Sequence, residues 1–421
     1  MSSYKVLNKD NHFGLSAFSL ALLAMSASAT VSADINKGIE DALKFGQEDA
    51  KYGQVKLDIR MRYENVNTQH STAKTGDAFT TRFRIGYLTP KLSGFQAYAE
   101  FEANQDIGIN DYKNKRNGTW RKSQYEVIQD PQDTELNQLW LNFDGIADTS
   151  IKVGRQRIKI DNDRFIGNVG WRQMEQTFDS ILLTNQSIAN TTVKVGYINQ
   201  VKTIISTTDE MSSPFYNLGY DFKGYGKLST YGYWLDYKEA SQLKKSNQTF
   251  GVRFNGETKI TEDVNAVYTG EYANQTDYAR NPMQYDADYY HINAGLSAFG
   301  VTLKGGMEQL DGNGNGMVFQ TPLGTNHAFN GWADIFLTTP DDGLRDVYGS
   351  ASVKFKGVKF MGVYHDFSDD TGGMDYGNEY DLVVSKKFGK HYSILAKYAN
   401  YNAVGYKNDT QKIWIQGGIH F

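Results

Sequence analysis

The sequence contains no cysteine and only 6 prolines among 421 residues. The absence of cysteine excludes disulfides and any metal or redox site built on thiolates, and the scarcity of proline suits a chain rich in strands. After residue 33 no run approaches about eighteen consecutive apolar residues, which excludes a membrane-spanning helix there. A formal net charge of −4 argues against a nucleic acid partner. These absences leave two classes, a soluble protein or a membrane β-barrel.

The first 33 residues have the pattern of a secretory signal peptide. Lys5 and Lys9 precede an apolar run over 13–25, and small residues follow as far as Ala33. We expect cleavage after Ala33. This leaves a short periplasmic segment, 34–52, in which we expect a short helix, followed by the main domain, 53–421.

Strand-like alternation dominates the rest of the chain, which is rich in Gly (41), Tyr (28) and Phe (23). Segment 56–64, K-L-D-I-R-M-R-Y-E, alternates charged and apolar residues without error. Because side chains alternate faces along a strand, one face is apolar and the other is charged. The pattern recurs in strand after strand as far as 413–421. A soluble sandwich produces it once or twice, whereas a transmembrane barrel with lipid outside and a polar lumen produces it throughout.

The connections between predicted strands alternate short turns with long polar loops, as in outer-membrane barrels. Segment 332–336 has the pattern of a further strand, but an odd total would break the even parity of a closed bacterial barrel. We therefore predict an all-β, closed antiparallel transmembrane barrel of about 18 strands. It is expected to be a monomer in outer-membrane lipid, with both termini in the periplasm. The long loops are expected near 66–78, 104–134, 158–177, 200–214, 238–247, 273–287, 310–343, 367–378 and 402–410.

The last strand, 412–421, carries apolar residues at alternate positions and ends on Phe421. It resembles the C-terminal signature by which bacterial outer-membrane barrels are recognised for insertion. The resemblance implies that the barrel assembly machinery is a partner of this strand.

Several further blocks of the sequence resemble the alginate export family of outer-membrane porins. They are D-A-L-K at 41–44, D-I-R-M-R-Y-E at 58–64, G-R-Q-R at 154–157, R-F-I-G-N-V-G-W-R-Q at 164–173, Q-T-F-D at 176–179, F-N-G-W-A-D at 329–334, G-L at 343–344 and Y-G-N-E-Y-D at 376–381. The resemblance implies a channel of about eighteen strands. With the inward arginines described next, it favours passive diffusion of acidic saccharides, such as alginate-like polyuronate, or of other small organic anions. The alternative is a general or substrate-specific nutrient uptake porin with no anion preference.

Strand alternation directs a set of charged residues into the predicted lumen. Arginine in a narrow pore can bind carboxylates through its planar fork, and it keeps its charge. The basic residues either form a ladder that binds anions or pair with carboxylates on neighbouring strands, and the sequence leaves both interpretations open. The inward residues include Arg60, Arg62, Arg82, Arg84, Lys194, Arg253, Lys304 and Lys397, with the carboxylates Glu100, Glu379 and Asp381.

The two arginines at 155 and 157 do not fit this pattern, because Arg155 and Arg157 share the parity of the apolar residues Ile151 and Val153. An outward arginine at the membrane midplane costs about 2–4 kcal/mol. Either Gly154 marks a bulge that turns both arginines inward, or the strand has already left the lipid at this point.

Three loops, 104–134, 158–177 and 310–343, are long enough to fold into the lumen. Loop 158–177 carries apolar residues that would otherwise lie in water. We therefore predict that it is ordered and tucks into or over the lumen. This would bring Arg164 and Arg172 close to Arg155 and Arg157 as an anion-attracting constriction.

The sequence contains no arrangement typical of an enzyme or a metal site. The histidines are scattered, and none lies in an H-E-x-x-H or G-x-S-x-G context. Segment 311–316 matches the first half of a calcium loop, but Pro322 occupies the position where a bidentate Glu is required. We therefore predict a flexible glycine loop there, and we expect no catalysis, no cofactor and no metal.

Overall fold

The computed structural model of the protein describes residues 33–116 and 118–421. The predicted signal peptide lies, apart from Ala33, outside these residues. One α-helix, α1 (Ala33–Leu43), precedes the first strand. Neither it nor any other helix in the described ranges is long and apolar enough to span a membrane.

Eighteen strands form one closed antiparallel sheet, in which each strand pairs with its neighbour in the chain and the last pairs with the first. This confirms the predicted barrel and its strand number. Two further short strands, β4 and β5, form a separate ribbon within one long loop. The strands are β1 (Gln54–Thr68), β2 (Gly76–Leu88), β3 (Phe95–Asp111), β4 (Asn114–Arg116), β5 (Thr119–Arg121), β6 (Asp133–Ile146), β7 (Thr149–Gln156), β8 (Thr177–Asn185), β9 (Thr191–Lys202), β10 (Thr208–Phe222), β11 (Gly226–Leu235), β12 (Asn247–Lys259), β13 (Val264–Asp277), β14 (Asp286–Ala298), β15 (Val301–Leu310), β16 (Leu344–Phe355), β17 (Val358–Ser368), β18 (Asp375–Phe388), β19 (Tyr392–Ala403) and β20 (Thr410–His420).

The alternation of residue types sets which face of each strand points outward. In β2, Phe83 and Ile85 are 39% and 43% exposed, whereas Arg82 and Arg84 are 1% and 7% exposed. The apolar side chains therefore form the outer surface that meets lipid, and the charged ones point into the barrel.

The start of β1 and the end of β20 meet at the end of the barrel that carries the short turns. Leu57 and Phe421 exchange two backbone hydrogen bonds, of 3.0 and 2.8 Å, beside the seam between β1 and β20. The Phe421 ring stacks on His391 at 4.1 Å, and the same imidazole lies 2.7 Å from the Glu40 carboxylate of α1. The N-terminal helix thus packs against the turn that joins β18 to β19.

Two long loops, 157–176 and 311–343, enter the barrel from the opposite end. Ile166 and Leu323 form a parallel bridge between them, and both side chains are buried in the largest apolar core of the described residues. Phe165 packs on Tyr231 of β11 at 5.2 Å between ring centroids. Segment 332–336 belongs to the second loop and forms no strand, as predicted. The prediction that 158–177 is ordered inside the lumen is therefore confirmed.

Candidate functional site

Segment 168–176 of the first loop separates two cavities inside the barrel. The outer cavity, of about 360 Å³, is lined by residues of the 203–207 loop and by Arg172. The inner cavity, of about 680 Å³, extends to Leu88 and Gln96 beside a short turn, and it touches Gly170. Residues of this segment, which we call the partition, line both cavities.

Two arginines of β1 hold the partition through its backbone. Arg60 Nη1 donates to the carbonyl oxygens of Gly170, Trp171 and Arg172 at 3.0, 3.1 and 3.2 Å. Arg62 Nη2 donates to the Trp171 carbonyl at 2.5 Å, and its guanidinium lies 4.2 Å from the Trp171 ring centroid. Both arginines point inward because they are two residues apart on one strand. Each arginine therefore contacts the loop through one Nη nitrogen, and Arg62 also donates to Gln416 of β20.

Two carboxylates of β18 hold the second loop by accepting hydrogen bonds from its backbone N–H groups. The Asp381 carboxylate accepts the backbone N–H of Trp332 at 3.0 Å, and that of Glu379 accepts the N–H of Ala333 at 2.7 Å. Gly331, with φ of +84°, lies so close that an added Cβ would stand 2.4 Å from a Glu379 oxygen. Glycine is therefore required at the point where the loop meets this wall.

Most arginines of the inner cavity are paired with carboxylates. Arg82 pairs with Asp58 across β1 and β2. Arg84 contacts Glu102 at 2.5 Å and Glu175 at 3.4 Å.

Arg157, just after β7, contacts Glu100 at 2.9 Å and also pairs with Glu175. Burial alone would raise the pKa of Glu175, but the Arg84 and Arg157 charges hold it well below its usual range. Glu175 is therefore a fixed negative charge in the partition, and it neutralises part of the basic wall.

The predicted convergence of four arginines does not occur. Arg172 pairs with Glu64 at 3.0 Å and with Asp334 at 3.1 Å. Burial by itself would lower the pKa of Arg172, but neighbouring carboxylates, Glu64 first, raise it above its usual range. Arg164 pairs with Glu308 of β15 at 2.8 Å. The expectation of one arginine cluster is corrected accordingly, because the four arginines pair with carboxylates on four different strands, Asp179, Glu100, Glu308 and Glu64.

Arg155 also departs from the expected position. The register of β6 and β7 runs without a shift from Asn142 opposite Lys152 to Leu139 opposite Arg155, so there is no bulge at Gly154. Arg155 keeps the strand face of the exposed Val153 and forms an ion pair with Asp179 of β8 at 2.7 Å. It lies in the penultimate position of β7. The hypothesis that a bulge turns both arginines inward is wrong, and Arg155 does not join Arg157.

The remaining predicted basic residues lie apart from the partition. Arg253 pairs with Glu271 on the neighbouring strand at 2.6 Å. Lys194 reaches only a carbonyl oxygen, that of Lys159, at 3.5 Å. Lys304 is exposed and has no ion pair within the described part of the chain. Lys397 contacts neither an arginine nor a carboxylate directly, and its surroundings are described below.

The inner cavity nevertheless keeps a surplus of positive charge. Lys56, Arg60 and Lys152 have no carboxylate within ion-pair distance among the described residues. The sequence prediction omitted Lys152, although its place between the outward Ile151 and Val153 gives it inward parity. The charged lining consists of six basic residues, Lys56, Arg60, Arg82, Arg84, Lys152 and Arg157, and three carboxylates, Asp58, Glu100 and Glu175.

Solved structures with the same fold are outer-membrane channels of low sequence identity. OccK9 (OpdG) of Pseudomonas aeruginosa is 13% identical with a TM-score of 0.67, over 88% of this chain and 98% of that one. OpdK of the same organism, solved with vanillate, is 11% identical with a TM-score of 0.67, over 87% and 98%. OccAB2 of Acinetobacter baumannii is 15% identical with a TM-score of 0.67, over 87% and 98%.

No curated protein sequence matches the chain. A family model described as alginate export matches residues 52–305, which is more than half of the sequence. The match covers the strands that carry Arg60, Arg84 and Lys152, and the partition between the cavities. The chain therefore belongs to the alginate export family, and it is a porin of the bacterial outer membrane.

Proposed function

We propose that this porin passes small organic anions, including acidic saccharides such as uronates and short alginate-like polyuronates, by passive diffusion. The observation that carries the proposal is the surplus of Lys56, Arg60 and Lys152 in the inner cavity, where six basic residues face three carboxylates. A water-filled cleft with an excess of one charge attracts the opposite ion and raises its local concentration. Ammonium and guanidinium groups bind carboxylates through charge-assisted hydrogen bonds.

Basic residues also mark the approach to the partition from the other side. The outer cavity is lined by Lys115, Lys245 and Arg172, with Asp209 and Asp334 as its carboxylates. An anion moving through the barrel would meet positive charge on both sides of the partition. The cavities, of about 360 and 680 Å³, are of the size that holds a small ligand. Their volumes favour small solutes over a long polymer, and a passive pore of this kind works in both directions.

Reversal potentials in a salt gradient across planar bilayers test the charge preference. We expect anion selectivity for the native porin and a weaker preference for the double variant Lys56→Gln/Lys152→Gln. The matched control, Lys223→Gln/Lys356→Gln, removes two charges from exposed short turns and should keep the native value. Cation selectivity of the native porin would contradict the proposal.

A nutrient porin without anion preference is the second candidate, and the opposite wall favours it. Five carboxylates are buried on β13 to β18, namely Glu271, Glu308, Asp346, Glu379 and Asp381. Their negative charge partly offsets the positive charge of the wall that lines the inner cavity. Liposome swelling with glucose and with glucuronate compares the entry rates of a neutral sugar and of an anionic sugar of almost equal size. Faster entry of glucuronate supports the first proposal, whereas equal rates together with a reversal potential near zero support the second.

A further inference from the structure

Six side chains from both loops and from two strands meet in the lumen beside the partition. We call this cluster the latch. Its members are Trp171 of the first loop, His327, Trp332 and Asp334 of the second loop, Lys397 of β19 and Trp414 of β20. Because it joins both loops to adjacent strands, its contacts add to the backbone hydrogen bonds that hold the loops against the wall.

The polar members of the latch form a directed chain of hydrogen bonds. Lys397 Nζ lies 2.8 Å from Nε2 of His327, and Nδ1 of the same ring lies 2.5 Å from the Asp334 carboxylate. An ammonium group can only donate, so Nε2 accepts and Nδ1 carries the hydrogen that it donates. Asp334 also accepts from Arg172 at 3.1 Å and from Lys412 at 2.8 Å. The chain thereby runs from β19 through the second loop to the first loop and β20.

Aromatic rings surround the Lys397 ammonium. It lies 3.8 Å from the ring centroid of Trp332, 4.4 Å from that of Trp171 and 5.5 Å from that of Trp414. The Trp171 ring stacks on His327 at 4.6 Å with an interplanar angle of 8°. Lys397 is only 6% exposed, and within the described residues no carboxylate lies at ion-pair distance from it. Its charge is held by cation–π contacts and one imidazole, which leaves no open face for a solute.

We propose that Lys397 is a positioning residue that sets the aperture of the porin by fastening both loops to β19 and β20, and not a binding residue for anions. In the latch, Trp171 of the first loop and Trp332 of the second loop both contact the ammonium of one strand residue, Lys397. Loss of this contact weakens the packing of two large side chains on two different loops at once. The inference rests on the porin function of the chain and does not depend on its anion preference.

Lys397→Met tests the proposal, because it keeps an unbranched apolar stem against the tryptophans and removes the charge and its donors. The matched control is Lys354→Met, since Lys354 shares the lumen face of Asp346 on β16, is exposed and touches no member of the latch. Single-channel recordings of the full porin are expected to show higher conductance for Lys397→Met, with the ratio of open to closed dwell times raised about tenfold, which corresponds to about 1.4 kcal/mol. The control should keep the native conductance.

The same recordings separate aperture from charge selectivity. A residue that merely binds anions would change the reversal potential without raising the conductance. Native conductance and dwell times for Lys397→Met, together with a reversal potential that shifts more than in the control, would overturn the proposal. A native porin without anion selectivity would contradict the proposed function but leave this inference intact.

A second variant covers the case in which Lys397→Met does not assemble into a heat-modifiable barrel. Trp332→Leu weakens the ring nearest to the ammonium on a loop residue that is only partly buried. It should raise conductance in the same direction, and a folded Trp332→Leu porin with native conductance would also refute the latch.

Discussion

Replacing Arg62 by methionine removes one of the two β1 arginines that tie the partition to the barrel wall. Arg62 is fully buried, donates to the Trp171 carbonyl at 2.5 Å and to Gln416 at 2.8 Å, and stacks on the Trp171 ring. Methionine fills much of the same volume but donates no hydrogen bond. The variant therefore leaves the Gln416 side-chain oxygen without this donor, and the Trp171 carbonyl keeps only its bond from Arg60 at 3.1 Å.

The magnitude follows from these lost contacts. A buried group left without its partner costs about 1–3 kcal/mol, and a desolvated cation–π contact contributes about 2 kcal/mol. We expect the packed loop to lose about 3–4 kcal/mol relative to a released loop, which changes their ratio by more than about a hundredfold. The barrel should persist, because the interstrand ladders of the barrel do not include this side chain.

Single-channel conductance and limited proteolysis of the intact porin measure the effect. Arg62→Met should raise conductance and expose 157–176 to cleavage, while the folded barrel still migrates as a heat-modifiable band. Arg155→Met is the matched control, since that arginine pairs with Asp179 between strands and holds no part of the partition. Native conductance in Arg62→Met, or an equal rise in the control, would refute the view that arginine contacts to loop carbonyls keep the partition in place.

Three further perturbations act on the loops. Deletion of 160–172 should raise single-channel conductance and weaken the anion preference, and if neither changes, this loop lies outside the permeation path. Gly331→Val places a Cβ 2.4 Å from a Glu379 oxygen at φ of +84°, so protease should cleave 311–343 faster than in the native porin. Burial lowers the pKa of His327 to about 3. The stabilisation of the packed loop by the neutral ring is therefore fully present above a pH of about 6.5, and it is lost as the pH falls towards 3. Open dwell times recorded over that range should lengthen at low pH, because a protonated Nε2 can no longer accept from Lys397. Constant dwell times would show that this bond does not hold the loop.

The strand pattern could be predicted from the sequence because lipid and lumen impose it residue by residue. Alternation as regular as that of segment 56–64 predicts a strand with one apolar and one charged face. The even number of strands in a closed bacterial barrel assigned 332–336 to a loop. The apolar Phe165 and Ile166 likewise required a packed environment, which they find against β11 and the second loop.

The contacts across the lumen could not be predicted, because they join residues far apart in the chain. Arg62 and Trp171 are 109 positions apart, and no local pattern indicates that an inward arginine meets a backbone carbonyl instead of a solute. The same limit explains the error at Arg155. A glycine at 154 beside two arginines of outward parity suggested a bulge, but the partner strand keeps its register and Arg155 pairs with Asp179 instead.

The anchors of the two loops have a consequence for how these porins can diverge. Arg60 holds carbonyl oxygens, and Glu379 holds the N–H of Ala333, so these anchors recognise groups that nearly every amino acid provides. Side chains elsewhere in the loops can therefore change, and with them the solutes that pass, while the same wall residues keep the loops in position. Proline alone is barred at 333, because it lacks the N–H that the wall accepts. A lineage can thus acquire new substrates by altering its loops and leave the barrel wall that supports them unchanged.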